Sequence, residues 1–117
     1  QNALLIFSET DIDSDGTKTY RLYGPLFFGS VRSFHDQFTP GGDPDEVVID
    51  FQGSRVCDHS GIEAVSSLTE RYLAQGKKLR LKYLSPECRS LLNNAGSMIE
   101  VNVIEDPRYR VAVDNLA

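Results

Sequence analysis

Glu46-Val-Val-Ile-Asp-Phe-Gln-Gly-Ser-Arg-Val-Cys-Asp-His-Ser-Gly-Ile-Glu-Ala-Val65 passes from a short apolar run through a polar loop into an amphipathic segment. The run Val47 to Phe51 reads as a continuous apolar strand of the kind found buried inside a parallel sheet. Ile62, Val65, Leu68, Tyr72 and Leu73 then recur at helical spacing as far as Gln75, with Gly76 suited to the C-terminal cap. The junction Asp58-His59-Ser60-Gly61 is therefore a helix start just beyond the end of a strand. Such a start collects unpaired backbone N–H groups and the positive end of the helix dipole, and so favours anions.

Two roles compete for Ser60. Ser60-Gly61-Ile62-Glu63 fits a capping box, in which Ser60 caps the third helical N–H and Glu63 reaches back to the backbone of Ser60. The same hydroxyl, at the same helix start, is also placed to act as a regulatory site.

Outward from this stretch, Ala3 to Phe7 and Thr17 to Tyr23 read as two strands of a hairpin, joined by Asp11-Ile-Asp-Ser-Asp-Gly16. Asp11, Asp13, Asp15 and Gly16 match the first half of a calcium loop. Leu22 stands where the bidentate glutamate belongs, and no helices flank the loop, so a turn is expected. Gly24-Pro25 is expected to end the second strand. Phe27, Phe28, Val31, Phe34 and Phe38 form an aromatic stripe, expected in the core, on a helix from about Ser30 to Phe38. Lys77 to Tyr83 alternates Leu79, Leu81 and Tyr83 against Lys78, Arg80 and Lys82, giving one core face and one wet, basic face. Ser85-Pro86 opens a helix with apolar Cys88, Leu91, Leu92 and Ala95. Met98 to Ile104 is a last strand, and Asp106-Pro107 opens a terminal helix.

The order β, β, α, β, α, β, α, β, α predicts an α/β fold: an N-terminal hairpin leading into a mostly parallel five-stranded sheet with about four helices. Right-handed crossovers would then place the helices on one face and leave the other partly open. Ser60 would lie at the carboxyl end of a central strand, where open α/β sheets present their sites.

Composition narrows the function. With 117 residues, 40% hydrophobic and 25% charged, the chain can bury a core as one domain, and a net charge of −5 lacks the basic footprint of nucleic-acid binding. Cys57 and Cys88 show no Cys-x-x-Cys spacing, and His35 and His59 have no partner at metal-ligand spacing. No metal site, a reducing compartment and two buried, apolar cysteines are expected. Asp58, His59 and Ser60 are neighbours at a turn and point in different directions, so no catalytic residues are assigned.

Taken together, Asp58-His-Ser-Gly-Ile-Glu-Ala-Val65, Gly76-Lys-Lys78, Leu84-Ser-Pro-Glu-Cys-Arg-Ser-Leu-Leu92, Ala95-Gly96 and Glu100-Val-Asn-Val103 followed by Glu105-Asp-Pro107 resemble a STAS domain. They are most similar to the C-terminal cytoplasmic domain of bacterial SulP-type sulfate and anion permeases. The resemblance covers nearly the whole chain and implies the anti-sigma-factor-antagonist-like fold over residues 1–117. It implies a non-catalytic regulatory domain, part of a larger membrane transporter on the cytoplasmic side of the bacterial inner membrane. The first residue, Gln rather than Met, agrees with a piece of a longer protein. Implied partners are the transmembrane part of that transporter, a cytosolic regulatory protein or kinase, and a second copy in a homodimer.

In the antagonist branch the corresponding turn reads Asp-Ser-Ser-Gly, and the serine before the glycine is phosphorylated. The resemblance thus makes Ser60 the candidate phosphoacceptor and Asp58, His59, Ser60, Gly61 and Glu63 the candidate interaction surface, with His59 replacing the family's first serine. The alternative is a free-standing anti-sigma-factor antagonist switched at Ser60. No cofactor is implied. Without a Gly-rich phosphate loop and its lysine, nucleotide binding at Ser60, Gly61 and Arg55 would be weak.

Overall fold

The structure is a computed structural model that describes residues 5–94 and 102–104. Its strands are β1 (Phe7–Ile12), β2 (Lys18–Leu26), β3 (Glu46–Val56), β4 (Lys78–Lys82) and β5 (Asn102–Ile104). The helices are α1 (Val31–Asp36), preceded by a 3₁₀ turn over Phe28–Ser30, α2 (His59–Ala74) and α3 (Pro86–Asn94). The sheet runs β1-β2-β3-β4-β5 in chain order, with β1 antiparallel to β2 and every later pair parallel. β3 is thus the central strand. The terminal helix expected after Asp106-Pro107 lies outside the described residues, as do Ala95 and the start of the last strand.

Register explains which face is dry. Tyr20 is paired with Ile49 and Ile49 with Leu81, and Tyr20, Leu22, Val47, Ile49, Phe51, Leu79 and Leu81 all enter one core with Ile62, Val65, Leu68 and Tyr72 of α2. α1 and α3 both pack on α2. On the opposite face Arg21 is paired with Asp50 and Asp50 with Lys82, a row of alternating charge that suits water. The expected one-sided arrangement of core and basic face is therefore observed in β4.

Several boundaries differ from the sequence expectation. The first strand begins at Phe7, where the reading from residues ended it, because the hairpin turn is shorter. Asp13 accepts from Gly16 through its carbonyl at 3.0 Å, and its carboxylate accepts from Asp15 and Thr17 N–H groups at 2.8 and 3.1 Å. Gly16 supplies the positive φ, 85°, that this turn requires. Among the described residues no cluster of three or more His, Cys, Asp or Glu is placed to hold a metal.

Gly24-Pro25 does not stop β2, which continues to Leu26, pairing Pro25 with Arg55. The pairing with β1 has ended at Tyr23, so Pro25 sits beside a free edge where a missing N–H is tolerated. That continuation draws Gln52 to Val56, read as a polar loop, into β3 after a register shift between Arg21 and Tyr23. β4 pairs only as far as Asp50, so this later half has one neighbour and needs no apolar pattern.

The aromatic stripe splits. Phe34 and Phe38 are buried and meet edge to face at 5.1 Å, whereas Phe28 is 74% exposed. The 3₁₀ turn breaks the helical phase that would have turned Phe28 inward. Leu73 and Leu91, expected on apolar faces, are also exposed, as is Cys57; Cys88 is half-buried against the core. The C-terminal expectation for α2 holds: Gly76, with φ of 72°, donates to Leu73 and Lys77 donates to Tyr72, closing the helix as a Schellman motif.

Candidate functional site

The candidate site lies where β3 gives way to α2, at the carboxyl ends of the parallel strands. The capping residue is Asp58, not Ser60: its Oδ1 accepts from the Gly61 N–H at 3.0 Å. Asp58 is extended, at φ −152° and ψ 179°, and the helix begins at His59. An aspartate at the N-cap accepts as well as a serine and adds charge where the dipole favours it, so it wins over the capping box centred on Ser60. Glu63 accordingly does not reach back to Ser60. Its Oε2 faces His59 Nε2 at 3.8 Å across one helical turn, with both side chains largely in water.

Asp58 also ties two segments together. Its Oδ2 accepts from the Phe28 N–H at 3.0 Å, and next to it the Cys57 N–H donates to Leu26 at 2.8 Å. The end of β2 and the 3₁₀ turn are thus stitched to the start of α2. We expect Asp58→Ala to destabilise the domain by about 1–2 kcal/mol, as for loss of a good cap, and to loosen Phe28. Chemical denaturation with amide exchange of Phe28 and Gly61 checks both.

With Asp58 capping, Ser60 is released. It is half-buried in the first turn of α2, and its hydroxyl makes no hydrogen bond to any described residue. Ser60, Glu63, Ala64 and Ser67 form one wall of a shallow groove of about 400 Å³, and Phe28, Val31 and His35 form the other. His35 Nδ1 lies 3.2 Å from Arg71 Nη1. A guanidinium can only donate, so Nδ1 accepts, and burial and the Arg71 charge lower the His35 pKa against a weaker opposite pull from Asp36.

The structure thus brings Asp58, Ser60, Gly61 and Glu63 to one helix start but does not link Asp58, His59 and Ser60 in a proton relay. Asp58 is occupied by two backbone N–H groups, and His59 is turned to Glu63. Gly61 is buried where a Cβ would meet the Leu26 carbonyl oxygen at 2.8 Å and Val56 Cγ1 at 2.9 Å. Phe28, the most exposed large hydrophobic residue here, is missed by sequence periodicity; only the nearby Pro25 and Gly29 hint at the broken phase.

The geometry defines a small α/β domain with a parallel core, one open sheet face and a hydroxyl-bearing helix start at the carboxyl ends of its strands. The chain belongs to the STAS domain family, whose sequence model matches residues 11–106. It is 33% identical over 75 residues to "Putative sulfate transporter YbaR" of Bacillus subtilis (strain 168), a match covering 64% of this chain and 16% of that protein. The STAS domain of an antisigma-factor antagonist from Rhodobacter sphaeroides superimposes with a TM-score of 0.62 at 29% identity, covering 69% of this chain and 88% of that one. The murine anion transporter Solute Carrier 26 family member A9, in its inward-facing state, shares the fold with a TM-score of 0.67 at 14% identity. That match covers 97% of this chain and 22% of the transporter.

Proposed function

We propose that this chain is a non-catalytic regulatory and interaction domain on the cytoplasmic side of a SulP-type secondary transporter of sulfate or a related anion. The observation that carries the reading is the 33% identity with YbaR. Transport itself would belong to membrane helices outside these residues; among the described residues no helix is long and apolar enough to cross a membrane. The domain would work by contact, with the transmembrane part, a cytosolic regulator or a second copy. The groove between Phe28 and Ser60 is the surface best suited to it, because it offers an exposed aromatic beside polar groups.

In this reading Ser60 is the switch. Phosphorylation would add about −1.5 to −2 charges at a helix start that accommodates an anion, but next to Asp58 and Glu63 and across from Phe28. The fold would persist while the contact surface changed. Since Asp58 is the cap, Ser60→Asp should leave the melting temperature within a few degrees while changing partner affinity at least tenfold. Thermal melting together with pull-down of the transmembrane part checks this, and a matching loss of stability would assign Ser60 a structural role.

A second reading, a free-standing anti-sigma-factor antagonist, is favoured by the 29% identity to the Rhodobacter sphaeroides domain. Fractionation of the source cells with an antibody to this domain separates the two. A band several times the 13.0 kDa of this chain in the inner-membrane fraction supports the transporter, and a soluble band near that mass supports the antagonist.

A further inference from the structure

The two cysteines, far apart in sequence, face one cavity. Cys57 lies between the last residue of β3 and the cap of α2, and is exposed. Cys88 lies in the first turn of α3, where Ser85 Oγ accepts from its N–H at 3.1 Å and fixes that turn; its side chain is half-buried. Both line a cavity of about 220 Å³ whose apolar wall is Val56, Ile62 and Leu91. They are the only cysteines in the chain. Two thiols lining one cavity, one accessible and one sheltered, allow an attacked sulfur to be resolved by the second thiol instead of by a second molecule.

We infer that Cys57 and Cys88 form a reversible intramolecular disulfide that ties the start of α2, which carries Ser60, to the start of α3. The oxidant is a low-molecular-weight disulfide such as oxidised glutathione. The Cys57 thiolate attacks one glutathione sulfur, forming a mixed disulfide and expelling the first glutathione thiolate. The Cys88 thiolate then attacks the Cys57 sulfur and expels the second. The protons lost by the two cysteines end on the two glutathiones, so the protein is oxidised by two electrons and the glutathione disulfide is reduced by two. The bridge closes a loop of about 30 residues, which restricts the unfolded chain. The inference does not depend on which larger protein the domain serves.

The test is to treat the reduced domain with oxidised glutathione and analyse it by non-reducing intact mass and peptide mapping, with melting curves for each form. The expected result is a monomer that has lost two hydrogens, retains no glutathione, yields a Cys57–Cys88 linked peptide and melts about 10 °C higher. Cys88→Ser should instead hold one glutathione on Cys57. Cys57→Ser should leave Cys88 unmodified over the same time. Cooperative melting of both reduced variants establishes that they fold. Wild-type protein that keeps glutathione on Cys57 with Cys88 free, forms a disulfide-linked dimer, or retains both thiols overturns the inference.

Discussion

Asp43→Ala should be the most damaging single change, lowering stability by about 3–5 kcal/mol, as when one partner of a buried charge network is removed. Asp43 is 6% exposed in the loop before β3, at the end of the sheet opposite Ser60. Its carboxylate accepts from Tyr20 Oη at 2.6 Å, Tyr72 Oη at 2.5 Å, Lys18 Nζ at 2.8 Å and Thr39 Oγ1 at 3.1 Å. The Asp43 carbonyl and the Pro40 carbonyl, the latter at 2.6 Å, both accept from Lys77 Nζ. Removing the carboxylate strands two buried phenols and one ammonium at once. The midpoint of thermal unfolding should fall by about 10–20 °C, whereas Tyr72→Phe, which removes one donor and leaves the others paired, should cost about 1–2 kcal/mol.

The same network sets a pH signature. Burial alone would raise the Asp43 pKa, but hydrogen bonds from Lys18, Tyr20 and Tyr72 outweigh it and hold the carboxyl below its ordinary value. A carboxyl depressed in the folded state adds stability that is complete above the unfolded pKa and is lost as pH falls through the folded one. Wild-type stability should therefore drop below about pH 4, and its margin over Asp43→Asn should narrow across that range. Urea unfolding of both proteins between neutral and acid pH measures this. A margin that stays constant with pH would show that Asp43 is not the titrating group.

Gly61→Ala should cost about 2–3 kcal/mol, the range for overpacking a tight site, although alanine is normally the better helix former. The Leu26 carbonyl that a Cβ would strike belongs to β2 and already accepts from Cys57, so it cannot simply move aside. The start of α2 must shift instead, carrying Ser60 away from Phe28 and straining the cap at Asp58. The variant should thus lose both stability and partner affinity, in contrast to Ser60→Asp, which should change affinity alone. Unfolding and pull-down experiments run on the two variants in parallel check the contrast.

Periodicity along the chain sufficed for α2 and α3 and for the core face of the sheet. Val47, Ile49, Leu79 and Leu81 needed only their alternation, or their unbroken apolar run, to be assigned inward. The closure of α2 at Gly76 was legible for a related reason, since a positive φ selects glycine in any context. The position of Ser60 at the end of a central strand followed from the element order.

Other features depended on contacts that periodicity along the chain does not show. Asp43 stands in a Pro- and Gly-rich segment between Pro40 and Pro44, and only folding sets it against Tyr20 and Tyr72, 23 and 29 residues away. Cys57 and Cys88 share a cavity because α2 and α3 pack side by side. Phe28 is exposed because a 3₁₀ turn, held by the Ser30 hydroxyl donating to Pro25 at 2.8 Å, resets the helical phase.

The cap at Asp58 was a choice between two local patterns, each adequate by itself. Its carboxylate meets the N–H of Phe28, 30 residues earlier in the chain, and that bond favours the helix start at His59. The sequence by itself determined the α/β order, the buried face and the family, because these rest on local periodicity and on motifs contiguous along the chain. The tertiary structure alone decided that Ser60 lines a groove and bonds to no described residue, because that rests on which backbone groups Asp58 satisfies once β2 and α2 are side by side.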